Sequence, residues 1–246
     1  MWKWLHPYAK PENTYRLCGQ LLPWISIIGF VLILVGTVWG LAFAPTDYQQ
    51  GDSYRIIYWH VPAAIWSMGV YMSMAIASFI GLVWQLRLAN MASAAMAPIG
   101  AAFTFMTLIS GSFWGKPMWG TWWAWDARLT TELILLFIYF GIIALYNAFE
   151  DHKTASKASG ILTLVGAINI PIIHFSVDWW HTLHQGNGLI SFSGKQLISP
   201  SMLWPLMVNI IGFGFVFGAL FLVRYRTEIL VRDGHRPWVR ALIGEK

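Results

Sequence analysis

Six long apolar runs constrain this chain more than any other feature. A helix needs about 20 mostly apolar residues to cross a bilayer. Residues 22–43, 61–86, 94–113, 130–149, 159–177 and 203–223 each meet that length. Charged residues make up 11% of the chain, against about 25% in soluble domains. Backbone polar groups in a bilayer must be satisfied within the protein, so such runs become helices. The expected fold class is an all-α membrane protein: a six-helix transmembrane bundle forming one integral domain over residues 1–246. Pro98, inside the third run, is expected to kink its helix. The first run follows Lys3, Lys10 and Arg16 and is long enough to stay as an anchor.

Lysine and arginine orient the bundle, because they concentrate on the cytoplasmic side. Twelve of the 16 fall in the two termini and in the loops after the second and fourth runs. The remaining four are Arg55, Lys116, Arg128 and Lys195. Both termini are therefore expected inside. The segments 44–60, 114–129 and 178–202 are expected outside, on the periplasmic side of a bacterial inner membrane. A net charge of +5 distributed over membrane ends gives no surface for nucleic acid. The single cysteine, Cys18, excludes an internal disulfide and any Cys-based cluster. Walker, G-x-S-x-G and H-E-x-x-H motifs are absent, so the chain is expected to have no catalytic turnover of its own.

Five tryptophans fall within residues 114–125, a strip that continues into Asp126 and Arg128. An aromatic belt decorates both membrane faces. Here ten of the 16 tryptophans lie toward the outer side and five toward the inner side. The strip 114–129 is expected to be an outer loop offering indole faces to a large planar ligand, with a purely anchoring loop as the alternative. Gly115 and Gly120 permit tight turning or close approach, and Pro117 stiffens the strip. Asp126 and Arg128 are placed to pair with each other, to cap the fourth helix, or to meet polar ligand groups.

Four of the seven histidines, His60, His174, His181 and His184, are outer or near-outer, and imidazole is a common axial ligand of haem iron. His60 is expected at the start of the second helix, with Pro62 in its first turn. His174 is expected to hydrogen-bond within the bundle. Arg55 and Arg128 are each suited to a carboxylate such as a haem propionate, or to interfacial anchoring. Glu132 is expected to be a favourable first-turn acid. Three readings stay open on these residues: a haem-holding protein, a redox subunit of the b-cytochrome kind, and a transport pore. The spans hold few histidines and little charge, which counts against the last two.

Residues 119–126 read W-G-T-W-W-A-W-D. This resembles the W-G-x-x-W-x-W-D signature of the WWD proteins of cytochrome c biogenesis, and six spans with two flanking histidines resemble the CcmC type. The likeness extends through residues 48–51 (Y-Q-Q-G), 54–66 (Y-R-I-I-Y-W-H-V-P-A-A-I-W), 96–100 (M-A-P-I-G), 126–130 (D-A-R-L-T) and 182–186 (T-L-H-Q-G). It implies haem b held at the outer face with His60 and His184 as axial ligands. It also implies a platform drawn from Trp114, Trp119, Trp123, Trp125 and Asp126. The implied partners are the haem chaperone CcmE, the small subunit CcmD and the ABC-type subunits CcmA and CcmB.

Overall fold

The computed structural model describes residues 10–184 and 198–244. The readings placed on Lys3 and Lys195, and on the last two residues of the 182–186 motif, lie outside the described residues. Helix α1 is Pro11–Val38, followed by one π-helical turn at Trp39–Phe43. A 3-10 turn at Asp52–Ile56 leads into α2, Ile57–Val83. Then come α3 (Arg87–Trp119), α4 (Ala127–Ala148), α5 (His152–Gly166), α6 (Asn169–Trp179), α7 (Pro200–Asp233) and α8 (Pro237–Ile243). Six helical segments are long and apolar enough to cross a membrane, with α5 and α6 together forming the fifth.

Three boundaries differ from the sequence expectation. The first is that α3 continues to Trp119, so Trp114, Gly115, Lys116 and Pro117 are helical rather than part of a loop. The helix stops at Gly120, whose left-handed φ of 75° suits a residue without Cβ. The second is that the fifth span is divided at residues 167–168. Pro171 has no N–H for the Ala167 carbonyl, and the Ile170 amide takes that carbonyl instead at 3.1 Å. The third is that α7 reaches ten residues beyond the expected end of its apolar run, to Asp233.

α2 packs along α3 and α1 along α7, while α4 lies against α3 and α5. The main core gathers Val70, Tyr71, Met74, Phe103, Leu135, Tyr139 and Ile173. Apolar burial gives helices little mutual attraction in lipid, so interhelical hydrogen bonds contribute, at about 0.6 kcal/mol each. Ser78 and Ser93 join α2 to α3 at 2.7 Å. The Tyr71 hydroxyl donates to the Thr163 carbonyl at 3.0 Å, and the Tyr139 hydroxyl to the Ser67 carbonyl at 2.9 Å. These bonds fix α2, the helix that carries His60, against three neighbours.

Candidate functional site

The site forms at the end of the bundle where the segments 44–56, 120–126 and 180–184 come together. His60 is the fourth residue of α2, because the 3-10 turn brings the helix start forward to Ile57. Pro62 consequently falls beyond the first turn. The His60 side chain is buried, at 6% exposure. Its Nδ1 lies 3.0 Å from the Ser110 Oγ on α3. Trp114, one turn further along α3, meets the imidazole edge-on with ring centres 5.5 Å apart. The Trp114 indole is itself fixed: its Nε1 donates to the Gln50 Oε1 at 2.9 Å, and Tyr54 packs against it edge-on.

His184 faces His60 from a segment 124 residues away in sequence. The two imidazole centres are 6.3 Å apart with planes inclined by 36°. Trp119 neighbours His184 in turn, with ring centres 6.5 Å apart. The rings thus run Trp114, His60, His184, Trp119. His181 is exposed three residues earlier. His174 is exposed too, with its ring edge-on to Phe175 at 4.8 Å, and does not enter the bundle interior as the sequence suggested. It sits on α6 beside the buried Ile173, on the neighbouring face of the helix.

The tryptophan strip divides into two parts. Trp114 and Trp119 project from the last turns of α3, and the Trp119 ring packs directly over Gly115, where a Cβ would lie 2.9 Å from it. Trp122, Trp123 and Trp125 follow the helix end. Trp123 and Trp125 meet edge-on at 5.5 Å, and Trp125 is 78% exposed. The Trp123 Nε1 is buried with no hydrogen-bond partner in the protein, a condition that a polar ligand or water group would relieve. Trp122 packs on Phe113, with the Lys116 ammonium 5.9 Å above its ring.

Asp126 caps α4, with its Oδ1 accepting from the Leu129 amide at 2.8 Å. Its Oδ2 accepts from the Leu183 amide at 3.2 Å, next to His184. Arg55 donates to the Gly40 carbonyl and to the Asp52 carboxylate, both at 2.9 Å, and so ties the π turn to the 3-10 turn. Arg128 donates to the Ile173 carbonyl at 3.3 Å from the first turn of α4. Glu132 is not a first-turn acid: α4 begins at Ala127, and this carboxylate is buried and accepts from the Ser67 Oγ at 2.8 Å. Among the described residues, no cluster of three or more His, Cys, Asp or Glu is placed to hold a metal ion.

Sequence reasoning missed Ser110, Gly111, Gln50 and Tyr54. A serine one turn before a tryptophan in an apolar helix carries no signal until the partner helix is known. Gln50 and Tyr54 lay within matched motifs, but their contacts to Trp114 follow from tertiary packing alone.

The family model described as Heme exporter protein C (CcmC) matches residues 4–240. Heme exporter protein C of Escherichia coli (strain K12) is 58% identical over 243 residues, covering 99% of this chain and 98% of that protein. The Haemophilus influenzae protein of that name is 60% identical over 242 residues, covering 98% of both chains. That of Bradyrhizobium diazoefficiens is 49% identical over 224 residues, covering 91% of this chain and 84% of the relative. With its motifs, its six spans and a match running almost end to end, the chain belongs to the CcmC, or Heme exporter protein C, family.

Proposed function

We propose that this protein binds haem b at the outer face of the bacterial inner membrane and hands it to the haem chaperone CcmE during cytochrome c maturation. The observation that carries this reading is the pairing of His60 with His184, with Trp114 beside the first and Trp119 beside the second. The two imidazoles come together from segments 124 residues apart, and each would offer a ring nitrogen to the iron. The donor set fits a haem iron, which needs two axial nitrogens and takes its other four from the porphyrin.

Haem supplies a planar apolar surface and an iron that exchanges axial ligands. The chain's own residues bind and orient it. His60 and His184 offer axial nitrogens, and Trp114, Trp119, Trp123 and Trp125 offer apolar area and an unpartnered indole N–H. Asp126 holds the segment bearing His184. Arg55 and Arg128 are the residues this reading assigns to the propionates. His60 is deeply buried, whereas His184 is half-buried on a short segment outside the helices. That asymmetry suits a site that keeps one ligand fixed and lets the other yield when a partner captures the haem.

The partners proposed with this role are CcmE as acceptor, CcmD as a supporting subunit, and CcmA with CcmB as the ATPase-linked pair. In this reading the chain has no turnover of its own, and its termini lie in the cytoplasm. The test is the absorption spectrum of protein purified from membranes. His60→Ala and His184→Ala each abolish the low-spin bis-histidine spectrum and the covalent haem adduct on CcmE. A wild-type spectrum in both variants contradicts the ligand assignment, and an undiminished adduct contradicts the transfer role.

A further inference from the structure

Ser110 and Gly111 form a bed for His60 that the tryptophan signature does not contain. The Ser110 hydroxyl has a single hydrogen. Its Oγ lies 2.6 Å from the Met106 carbonyl one turn back and 3.2 Å from the Thr107 carbonyl. Carbonyls only accept, so that hydrogen is committed to the backbone of α3. The contact of 3.0 Å between Ser110 Oγ and His60 Nδ1 must then be donated by the imidazole. A neutral imidazole carries one N–H, and with it on Nδ1 the lone pair is on Nε2.

Gly111 completes the bed. A Cβ there would lie 3.0 Å from the His60 Cε1, so the ring rests almost on the α3 backbone. Trp114 lies four positions after Ser110 and three after Gly111, so it neighbours each along α3. They hold the imidazole at its Nδ1, at Cε1 and along its edge. Metal-bound histidines depend on such a partner for the other ring nitrogen, which fixes the tautomer and raises the ligand's basicity.

We infer that Ser110 is a positioning residue for haem: it accepts the His60 Nδ1 proton, seats the ring with Gly111, and thereby presents Nε2 to the iron. This rests on the reading of His60 as an axial ligand. His184 has its own environment on a different segment, so the two ligands are held by different means and differ in strength.

The experiment uses full-length protein purified with its haem, as wild type, Ser110→Ala, Ser110→Thr and Ser110→Cys. Haem release is timed by transfer to excess apomyoglobin, and the haem midpoint potential is measured by reductive titration. Loss of an outer hydrogen bond costs about 10–100-fold in metal affinity, so Ser110→Ala is expected to release haem at least about tenfold faster. Its potential is expected to rise, because a less basic imidazole stabilises ferric iron less. Ser110→Thr, which keeps the hydroxyl, restores both values. Should Ser110→Ala fail to accumulate, Ser110→Cys carries the test, since a thiol of similar size is a weak acceptor and shifts both readouts the same way. Wild-type release and potential in the Ala variant overturn the inference. Faster release with an unshifted potential does so too, because that outcome marks a packing role alone. A His60→Ala protein that keeps the wild-type spectrum locates the failure in the ligand reading instead.

Discussion

Asp126 and Leu183 are hydrogen-bonded across 57 residues of sequence, the Leu183 amide donating to Oδ2 at 3.2 Å while Oδ1 caps α4 through the Leu129 amide at 2.8 Å. The last residue of the W-G-x-x-W-x-W-D motif therefore binds the two segments that bracket His184: the end of the tryptophan strip and the stretch following α6. Sequence alone left Asp126 with three roles, namely pairing with Arg128, capping, or ligand contact. The geometry shows the cap and adds a clamp on the histidine segment.

Removing that carboxylate acts at two places. Asp126→Ala loses an N-cap, which costs about 0.5–2 kcal/mol, and frees the Leu183 amide. Asp126→Asn keeps a single side-chain oxygen, so it serves one amide and not both. Thermal unfolding in detergent is expected to rank wild type above Asn above Ala. Protease sensitivity within residues 180–184 rises in both variants. Equal sensitivity across the three proteins shows that the clamp does not restrain this segment.

His181 and His184 are separated by three residues, yet only His184 has its ring beside His60. His181 is exposed. His181→Ala is expected to leave the haem spectrum and occupancy within a factor of about two of wild type, since surface substitutions change free energies by about 0.5 kcal/mol or less. His184→Ala removes the low-spin spectrum. If His181→Ala erases it instead, the axial assignment moves from His184 to His181.

The spans were legible because length and apolarity are properties of local sequence, and a bilayer admits few other outcomes. The ends were less so. The W-G-K-P stretch has two residues that disfavour helix, which made α3 look finished at Phe113. It continues because Pro117 deletes only one donor, at a point where the helix is almost over, and the left-handed turn comes at Gly120. The division between α5 and α6 was hidden because the apolar pattern crosses it without interruption. Of the proposed site, the two histidines and the tryptophans were named from their motifs. Ser110 could not, since its value comes from lying opposite His60 on another helix. Glu132 was misread for a related reason: its burial depends on Ser67 of α2.

The far end of the bundle offers a test of pH dependence. Asp151 caps α5, accepting from the Thr154 hydroxyl at 2.6 Å and from the amides of Thr154 and Lys153 at 2.8 and 3.2 Å. These bonds, the Thr154 hydroxyl first, hold its carboxyl below the usual carboxylate range. A lowered folded-state value means that the contribution is complete above the unfolded value of about 3.9 and is lost as pH falls through the folded one. Hydrogen exchange of the Lys153 and Thr154 amides, corrected for intrinsic rates, is expected to accelerate as pH drops below about 4. Asp151→Asn removes that dependence. An identical pH response in the variant shows that another group controls the fraying of α5.

Trp119 and Trp125 belong to the same strip but stand in different relations to the proposed iron ligands. Trp119 packs on Gly115 and lies 6.5 Å from His184. Trp125 is largely exposed and leans on Trp123. Truncating Trp119 removes a wall from His184, so the axial geometry is expected to change along with affinity. Truncating Trp125 removes apolar area, worth about 25 cal/mol per Å² covered by a ligand, and leaves both histidines supported. Trp119→Ala is therefore expected to lower haem occupancy and to shift the low-spin spectrum. Trp125→Ala lowers occupancy with an unshifted spectrum in the fraction still loaded. Electron paramagnetic resonance of the ferric proteins separates the two effects, because its g values follow the axial ligands and occupancy sets only the intensity. Changed g values in Trp125→Ala, with native ones in Trp119→Ala, would reverse the assignment and make the exposed indole the one that governs the histidine.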